Sequence, residues 1–329
     1  MTVIWGTNYA LVKSAFRELD AQAFNALRLV LASLVMTATS HIARRSIDSL
    51  RGASPLGLPY TLSRSPLRRL APFAWLARWR SLADDIFHTP APITRADWRR
   101  LAWLGLVGHC LYQYLFIGGL ARTSVANGAL LVASSPIVIT FLSTVTGHDR
   151  PGLLHWAGTL LSLVGIYIVV GHGAHVTAAS LRGDLMLMGA VLCWALYTMG
   201  ARPLMERHSP VGVTALSMLI GTAIYVPITA PALARVDWGS VGAWTWLKLV
   251  YSAIFSICVA YTIWYAAVRA IGSARTAVYS NLMPIVAMIT AWVWLHEPME
   301  ATKVLGAAAV LAGVAVARVQ RFGRTMAEP

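Results

Sequence analysis

Acidic side chains are scarce in this 329-residue chain: 13 Asp and Glu stand against 27 Lys and Arg, and charged residues of both signs make up only 12% of it. Soluble domains carry about 25% charged residues, so a water-facing globular fold is excluded. Cysteine is scarcer still. Cys110, Cys193 and Cys258 fall in three separate apolar stretches, and no spacing suggests a metal site or a disulfide; they read as small apolar side chains. No phosphate-cradling glycine loop with its lysine occurs, which excludes ATP drive within the chain. No Gly-x-Ser-x-Gly elbow frames a serine nucleophile. His296-Glu297 lacks the second histidine that a zinc protease helix needs. No metal and no cofactor is implied.

What fills the chain instead is apolar: 57% of residues, with 13 Trp and a mean hydropathy of +0.62. A bilayer core about 30 Å thick takes about 20 apolar residues to cross, and such runs follow one another. The reading is an all-α polytopic membrane protein with ten spans: 3–16, 21–40, 101–121, 125–146, 153–171, 185–201, 211–230, 244–267, 276–295 and 304–318. The net charge of +14 does not point to nucleic acid, because the basic residues sit between spans, as orientation signals do. No basic region precedes the first apolar run, so a removable signal peptide is not expected. That first run reaches only about 21 Å as a helix. The expectation is a reading frame that begins upstream of Met1.

The chain repeats itself. An offset of 148 residues takes Pro136-Ile137-Val138 to Pro284-Ile285-Val286, Gly158 to Gly306, Gly165 to Gly313, and His148-Asp149 to His296-Glu297. Nearer the start an offset of 189 takes Trp5 to Trp194, Lys13 to Arg202 and Ala26-Leu27 to Ala215-Leu216. One offset held over many positions marks an internal repeat. The change of offset places the extra sequence between spans two and three, at about 41–100. That segment holds eleven Arg and reads as a basic, partly disordered loop, which either lies on anionic lipid or only fixes orientation. The domains are then a first repeat at 1–175, a second at 182–320 and a tail at 321–329.

Five spans per repeat is an odd number, so the second copy enters the membrane in the opposite sense. The result is two inverted five-helix repeats about an axis in the membrane plane. With both termini cytoplasmic, nineteen basic residues lie inside and eight outside. That bias favours cytoplasmic termini in the inner membrane, and it rests on the long loop.

The chain resembles the drug/metabolite transporter superfamily, specifically the EamA-type permeases. The resemblance is carried by Trp5-Gly6-Thr7-Asn8, Ala26-Leu27-Arg28, Tyr265-Ala266-Ala267, Asn281-Leu282-Met283-Pro284 and His296-Glu297-Pro298. It implies ten helices in two inverted repeats, a central cavity, and export or exchange of small metabolites. The long loop and the short first helix depart from that pattern.

Polar and aromatic groups at membrane depth must face protein or water, so their placement points to a cavity. Trp5, Asn8 and Tyr9 share one helical face, and their repeat partners are Trp194, Tyr197 and Thr198. Gln113 and Phe116 share another, paired with Tyr261 and Trp264, with Tyr265 beside them. These either line a substrate cavity or pack helix against helix. Pro136 and Pro284 kink their helices. Ala309, Gly313 and Ala317 form a small-residue stripe for packing within the chain or in a homodimer. Lys13 and Arg28 are read as snorkelling to the outer interface, with holding a substrate carboxylate as the alternative. His109 is the one histidine near a span centre, a structural residue or a proton-coupling one. All thirteen acids fall in loops or at helix ends. The expected activity is secondary transport of small neutral or zwitterionic metabolites such as amino acids, by a monomer or homodimer with the lipid bilayer and a small-molecule substrate as its partners. An intramembrane enzyme and a non-transporting scaffold are the competing readings.

Overall fold

A backbone in lipid has no water to bond, so it must satisfy its own N–H and C=O groups. In the computed structural model every regular element among the described residues is helical. Those residues are 1–52, 86–87, 92–123, 125–147, 151–170, 178–286, 289 and 301–319. The helices are α1 (Thr2–Ala15), α2 (Ala21–Gly52), α3 (Arg95–Arg122), α4 (Val125–Val132), α5 (Ser135–Val145), α6 (Leu153–Val170), α7 (Ala178–Met205), α8 (Pro210–Ala234), α9 (Ala243–Ile271), α10 (Ser273–Val278) and α11 (Ala301–Val319). Among the described residues six helical stretches are long and apolar enough to cross a membrane, one of them Gly128–Val145 across α4 and α5, and Leu153–Ile168 and Val304–Ala317 are shorter apolar helices. The protein is an integral membrane protein.

Local chemistry sets the boundaries. Thr94 caps α3 by accepting from the Asp97 N–H at 3.2 Å, while the Asp97 carboxylate accepts from the Thr94 N–H at 2.9 Å. Ser209 caps α8 through the Gly212 N–H. Gly272, at φ 88°, separates α9 from α10 in a conformation that other residues rarely adopt.

Two expectations about boundaries are corrected. Helix α2 continues to Gly52 and α3 begins at Arg95, so both ends of the segment read as loop, 41–52 and 95–100, are helical. Hydropathy marks where a helix meets lipid, and a helix that continues into water carries no apolar run. The middle of that segment, 53–85, lies outside the described residues, as do His148-Asp149, His296-Glu297-Pro298 and the tail 321–329. The second correction concerns Pro136. The fourth expected span is not merely kinked there but divided into α4 and α5 at Ala133-Ser134. Proline supplies no N–H. The Ser135 hydroxyl instead donates to the Val132 carbonyl, and the Ser134 hydroxyl to Leu131 O at 2.6 Å. Near Pro284 the chain narrows to a 3₁₀ turn, Tyr279–Leu282, before helical residues resume.

Between helices in lipid there is little hydrophobic drive, so close packing carries the association. Glycines provide it where α6 crosses α11. A Cβ on Gly158 would run into the backbone of Gly313 and Ala317, and one on Gly165 would meet the Val310 N and Gly306 O at 2.6 and 2.7 Å. The contact is reciprocal under the 148-residue offset: Gly158 faces the counterpart of Gly165, and Gly165 faces the counterpart of Gly158. Of the stripe read as Ala309, Gly313 and Ala317, Gly313 and Ala317 thus meet α6 within the chain, at Gly158 and Ser162. Gly105 and Gly221 let α3 and α8 approach in the same way.

Candidate functional site

The site grows from interruptions in otherwise regular helices. Helix α3 widens into a π-helical stretch at Gly105–Leu111 and α9 into another at Ser252–Val259. The two stretches correspond under the 148-residue offset. Such turns loosen the helix ladder and recur at functional sites. Here Ser256 offers its carbonyl to the Trp5 indole N–H at 2.8 Å, and Ser252 offers its hydroxyl to the Arg28 guanidinium at 3.1 Å. The breaks at Pro136 and Pro284 act similarly. Ser135 from one and Ser280 and Met283 from the other face the same space.

That space is a central cavity with about 700 Å³ not filled by atoms, counting the part open to solvent. Eight of the ten side chains expected to form a pocket line it: Trp5, Asn8, Tyr9, Gln113, Phe116, Trp194, Tyr261 and Trp264. Tyr197 and Tyr265 stand one layer behind, fully buried, with ring centroids 5.3 Å apart. His109 does not line the cavity either. Its Nε2 lies 2.9 Å from the Tyr197 hydroxyl, which lies 3.0 Å from the Ser217 hydroxyl. Gly108 makes this possible, because a Cβ there would strike the Tyr197 ring.

The aromatic wall is continuous. Trp194 is 5.8 Å from Trp5, 5.4 Å from Trp264 and 5.3 Å from Tyr112, and Tyr112 stacks on Phe116 at 5.6 Å. These separations suit edge-to-face and offset packing. Among the described residues several contacts join residues to their own repeat counterparts: Trp5 with Trp194 and the Gln113 amide N–H with the Tyr261 hydroxyl at 3.2 Å at the cavity, and the Ser162 hydroxyl with the Val310 carbonyl at 3.4 Å where α6 crosses α11.

Arg28 departs from the expectation of snorkelling. It is 2% exposed and lines the cavity. Besides Ser252, it donates to Asn25 Oδ1 at 2.6 Å and to Gln113 Oε1 at 2.7 Å. Asn25 in turn donates to the Tyr225 hydroxyl at 2.9 Å. The partners lie 85 and 224 residues away, so no local pattern announces them; the hint available in the sequence was that Arg28 shares a helical face with Asn25. Lys13 also points inward to protein, bonding the Leu120 and Thr123 carbonyls at the end of α3. Tyr112, Ser135, Ser256 and Ser280 were not anticipated as lining residues; Ser135 and Ser280 lie beside the two prolines, which were the available sign. Among the described residues no group of His, Cys, Asp and Glu could hold a metal ion.

The comparisons with known proteins agree on a class. The EamA-like transporter family matches residues 68–171 and 181–319. The chain is 27% identical to the uncharacterized transporter YyaM of Bacillus subtilis, over 65% of this chain and 71% of that protein. It is 24% identical to a probable terminal-alkyne amino-acid exporter of Streptantibioticus cattleyicolor, over 69% of this chain and 75% of that protein. A solved crystal structure covering 99% of this chain and 96% of its own superposes with a TM-score of 0.69 at 19% identity, a likeness of fold.

Proposed function

The chain belongs to the EamA-like transporter family, and from that premise we propose that it is a secondary transporter of small neutral or zwitterionic metabolites such as amino acids. The observation that carries the proposal is the central cavity, where an aromatic wall and a chain of hydrogen-bonding groups from both halves of the sequence meet. Stacking rings take an apolar substituent, and the polar groups fix its orientation. The amino-acid exporter among the relatives supports the substrate class.

We read the architecture as ten transmembrane helices in two inverted five-helix repeats, at 1–175 and 182–320. The reciprocal glycine contacts of α6 and α11 support this, since a twofold relation makes each patch meet the other's counterpart. So do the contacts of Trp5 with Trp194 and Gln113 with Tyr261, which belong on such an axis. Transport then proceeds by rocking one repeat against the other around the cavity, downhill or by exchange. Both termini face the cytoplasm and the protein resides in the inner membrane, as the arginine-rich segment before α3 favours. The test is solute flux in proteoliposomes containing only this protein. Counterflow of an amino acid supports the reading; absence of flux across amino acids and related metabolites overturns it.

A further inference from the structure

Resting on that transporter reading, we propose that Arg28 is the substrate's carboxylate anchor and that Asn8, on the same cavity, receives its ammonium group, so that the site selects α-amino acids with a free carboxylate. The argument begins with charge. Arg28 is buried at the cavity wall, and its three acceptors, Ser252, Asn25 and Gln113, are all neutral. Among the described residues no ion pair involves Arg28; Asp97, at the far end of α3, pairs instead with Arg207 and His208. A buried cation without a counter-ion is costly and marks a functional position in a membrane protein.

The donors of the guanidinium outnumber its acceptors. Its Nε–H has no partner among the described residues, and neither does the indole N–H of Trp264. The complementary deficit is Asn8 Oδ1, a buried acceptor without a donor. All three side chains line the one cavity. An amino acid supplies both missing halves: a carboxylate for the unpaired donors and an ammonium for the unpaired acceptor. Its side chain then rests against the indoles of Trp5 and Trp194.

The internal repeat shows that the scaffold does not require this cation. At the 189-residue offset the counterpart of Arg28 is Ser217, a neutral residue that bonds Tyr197. Likewise Asn8 corresponds to Tyr197. The two halves place different chemistry at equivalent positions, and the charged version is the one that lines the cavity.

The test uses the purified full-length protein in detergent and scintillation proximity with tritiated standard amino acids. The tightest binder is then compared with its carboxamide and its deaminated acid. The carboxamide is expected to bind at least about tenfold more weakly, the scale of losing a charge-assisted hydrogen bond. Arg28→Gln should lower affinity for the amino acid by a similar factor and leave the carboxamide within about twofold. Asn8→Ala should weaken the amino acid and spare the deaminated acid. The ligand series on the unmodified protein needs no variant to fold. Equal binding of amino acid and carboxamide, or no binding of any amino acid, overturns the proposal. Flux of other solutes in proteoliposomes would then leave the transporter reading standing, whereas ligand discrimination without any flux would overturn the transporter reading and keep the anchor.

Discussion

Replacing Gly158 by alanine tests whether the two glycine-bearing helices are held together by close backbone approach. The added Cβ would be forced into the backbone of Gly313 and Ala317, and backbone cannot swing aside as a side-chain tip can. Overpacking of this kind costs about 1–3 kcal/mol, and the upper end applies when the obstacle is backbone. Alanine recovers about 1 kcal/mol of helix propensity. The net expectation is a loss of about 2 kcal/mol, or about 4 °C in melting temperature. Gly313→Ala meets Ser162 and the Gly158 carbonyl from the other side of the same crossing, so it should cost a similar amount. Because either Cβ wedges the same two helices apart, the double variant should lose less than the sum, by about 0.5 kcal/mol or more. Gly189→Ala is the control: the nearest obstacle is the Leu115 Cδ1 at 3.2 Å, the end of a flexible side chain. Thermal unfolding of detergent-purified protein reads all four. A Gly158→Ala protein melting within about 1 °C of the parent, or strictly additive singles, would refute the packing argument.

Trp264→Ala and Tyr261→Ala should lower transport roughly two- to tenfold with expression intact, since each removes an aromatic surface whose contact with the substrate contributes about 0.5–1.5 kcal/mol; Trp246→Ala, at a helix end and 39% exposed, should matter less, and equal mild effects from all three would favour packing over a substrate site. Glu18 accepts from the Gly242 N–H at 2.9 Å, which holds its carboxyl below the usual range. Its stabilisation is therefore full at neutral pH and lost as pH falls through that lowered value, so the melting difference between the parent and Glu18→Ala should shrink below about pH 4.5 and a difference constant from neutral to acid contradicts it. Counterflow in liposomes should be unchanged by an imposed pH gradient, because no acid is among the described residues that line the cavity; gradient-driven accumulation abolished by His109→Gln would make His109 the coupling site. A periplasm-active phosphatase fused after Pro329 should be silent, and strong activity there would reverse the orientation.

Much of the fold could be read from hydropathy and from two offsets, 148 and 189, because both signals report what lipid and duplication impose on every helix. The aromatic faces were readable for the same reason: Trp5, Asn8 and Tyr9 fall at helical spacing, and their counterparts repeat it. What could not be read depended on length beyond the bilayer and on depth behind a face. The polar end of α2, through Arg44 and Arg45 to Gly52, is helical without an apolar run to mark it. Tyr197 and Tyr265 share the cavity-facing side of their helices but are screened from it by Trp194 and Tyr261, whose rings lie between 5.4 and 6.4 Å from one another and from them. The π-helical stretches have no composition of their own; Gly105 and Gly108 in the first have no glycine partners in the second.

Arg28 shows where local rules give way. A long basic side chain in an apolar helix is expected to reach for water, and the rule holds when lipid is the alternative. Here the alternative is a set of neutral oxygens from Asn25, Gln113 and Ser252, drawn from three helices. Those oxygens orient the guanidinium without cancelling its charge, and the carboxylate anchor proposed above rests on that uncancelled charge. A duplicated scaffold makes such a charge possible at low structural cost: equivalent positions support the same helix crossings, while one copy is free to carry a cation where the other carries Ser217. Substitution at Ser217 should accordingly act through Tyr197 and His109, on packing, and substitution at Arg28 on selectivity. Ser217→Ala is expected to lower melting temperature by a few degrees, the scale of one lost hydrogen bond of about 1 kcal/mol, and to leave the ratio of amino-acid to carboxamide affinity unchanged. A Ser217→Ala protein that loses that ratio would show that the two halves do not divide packing from recognition.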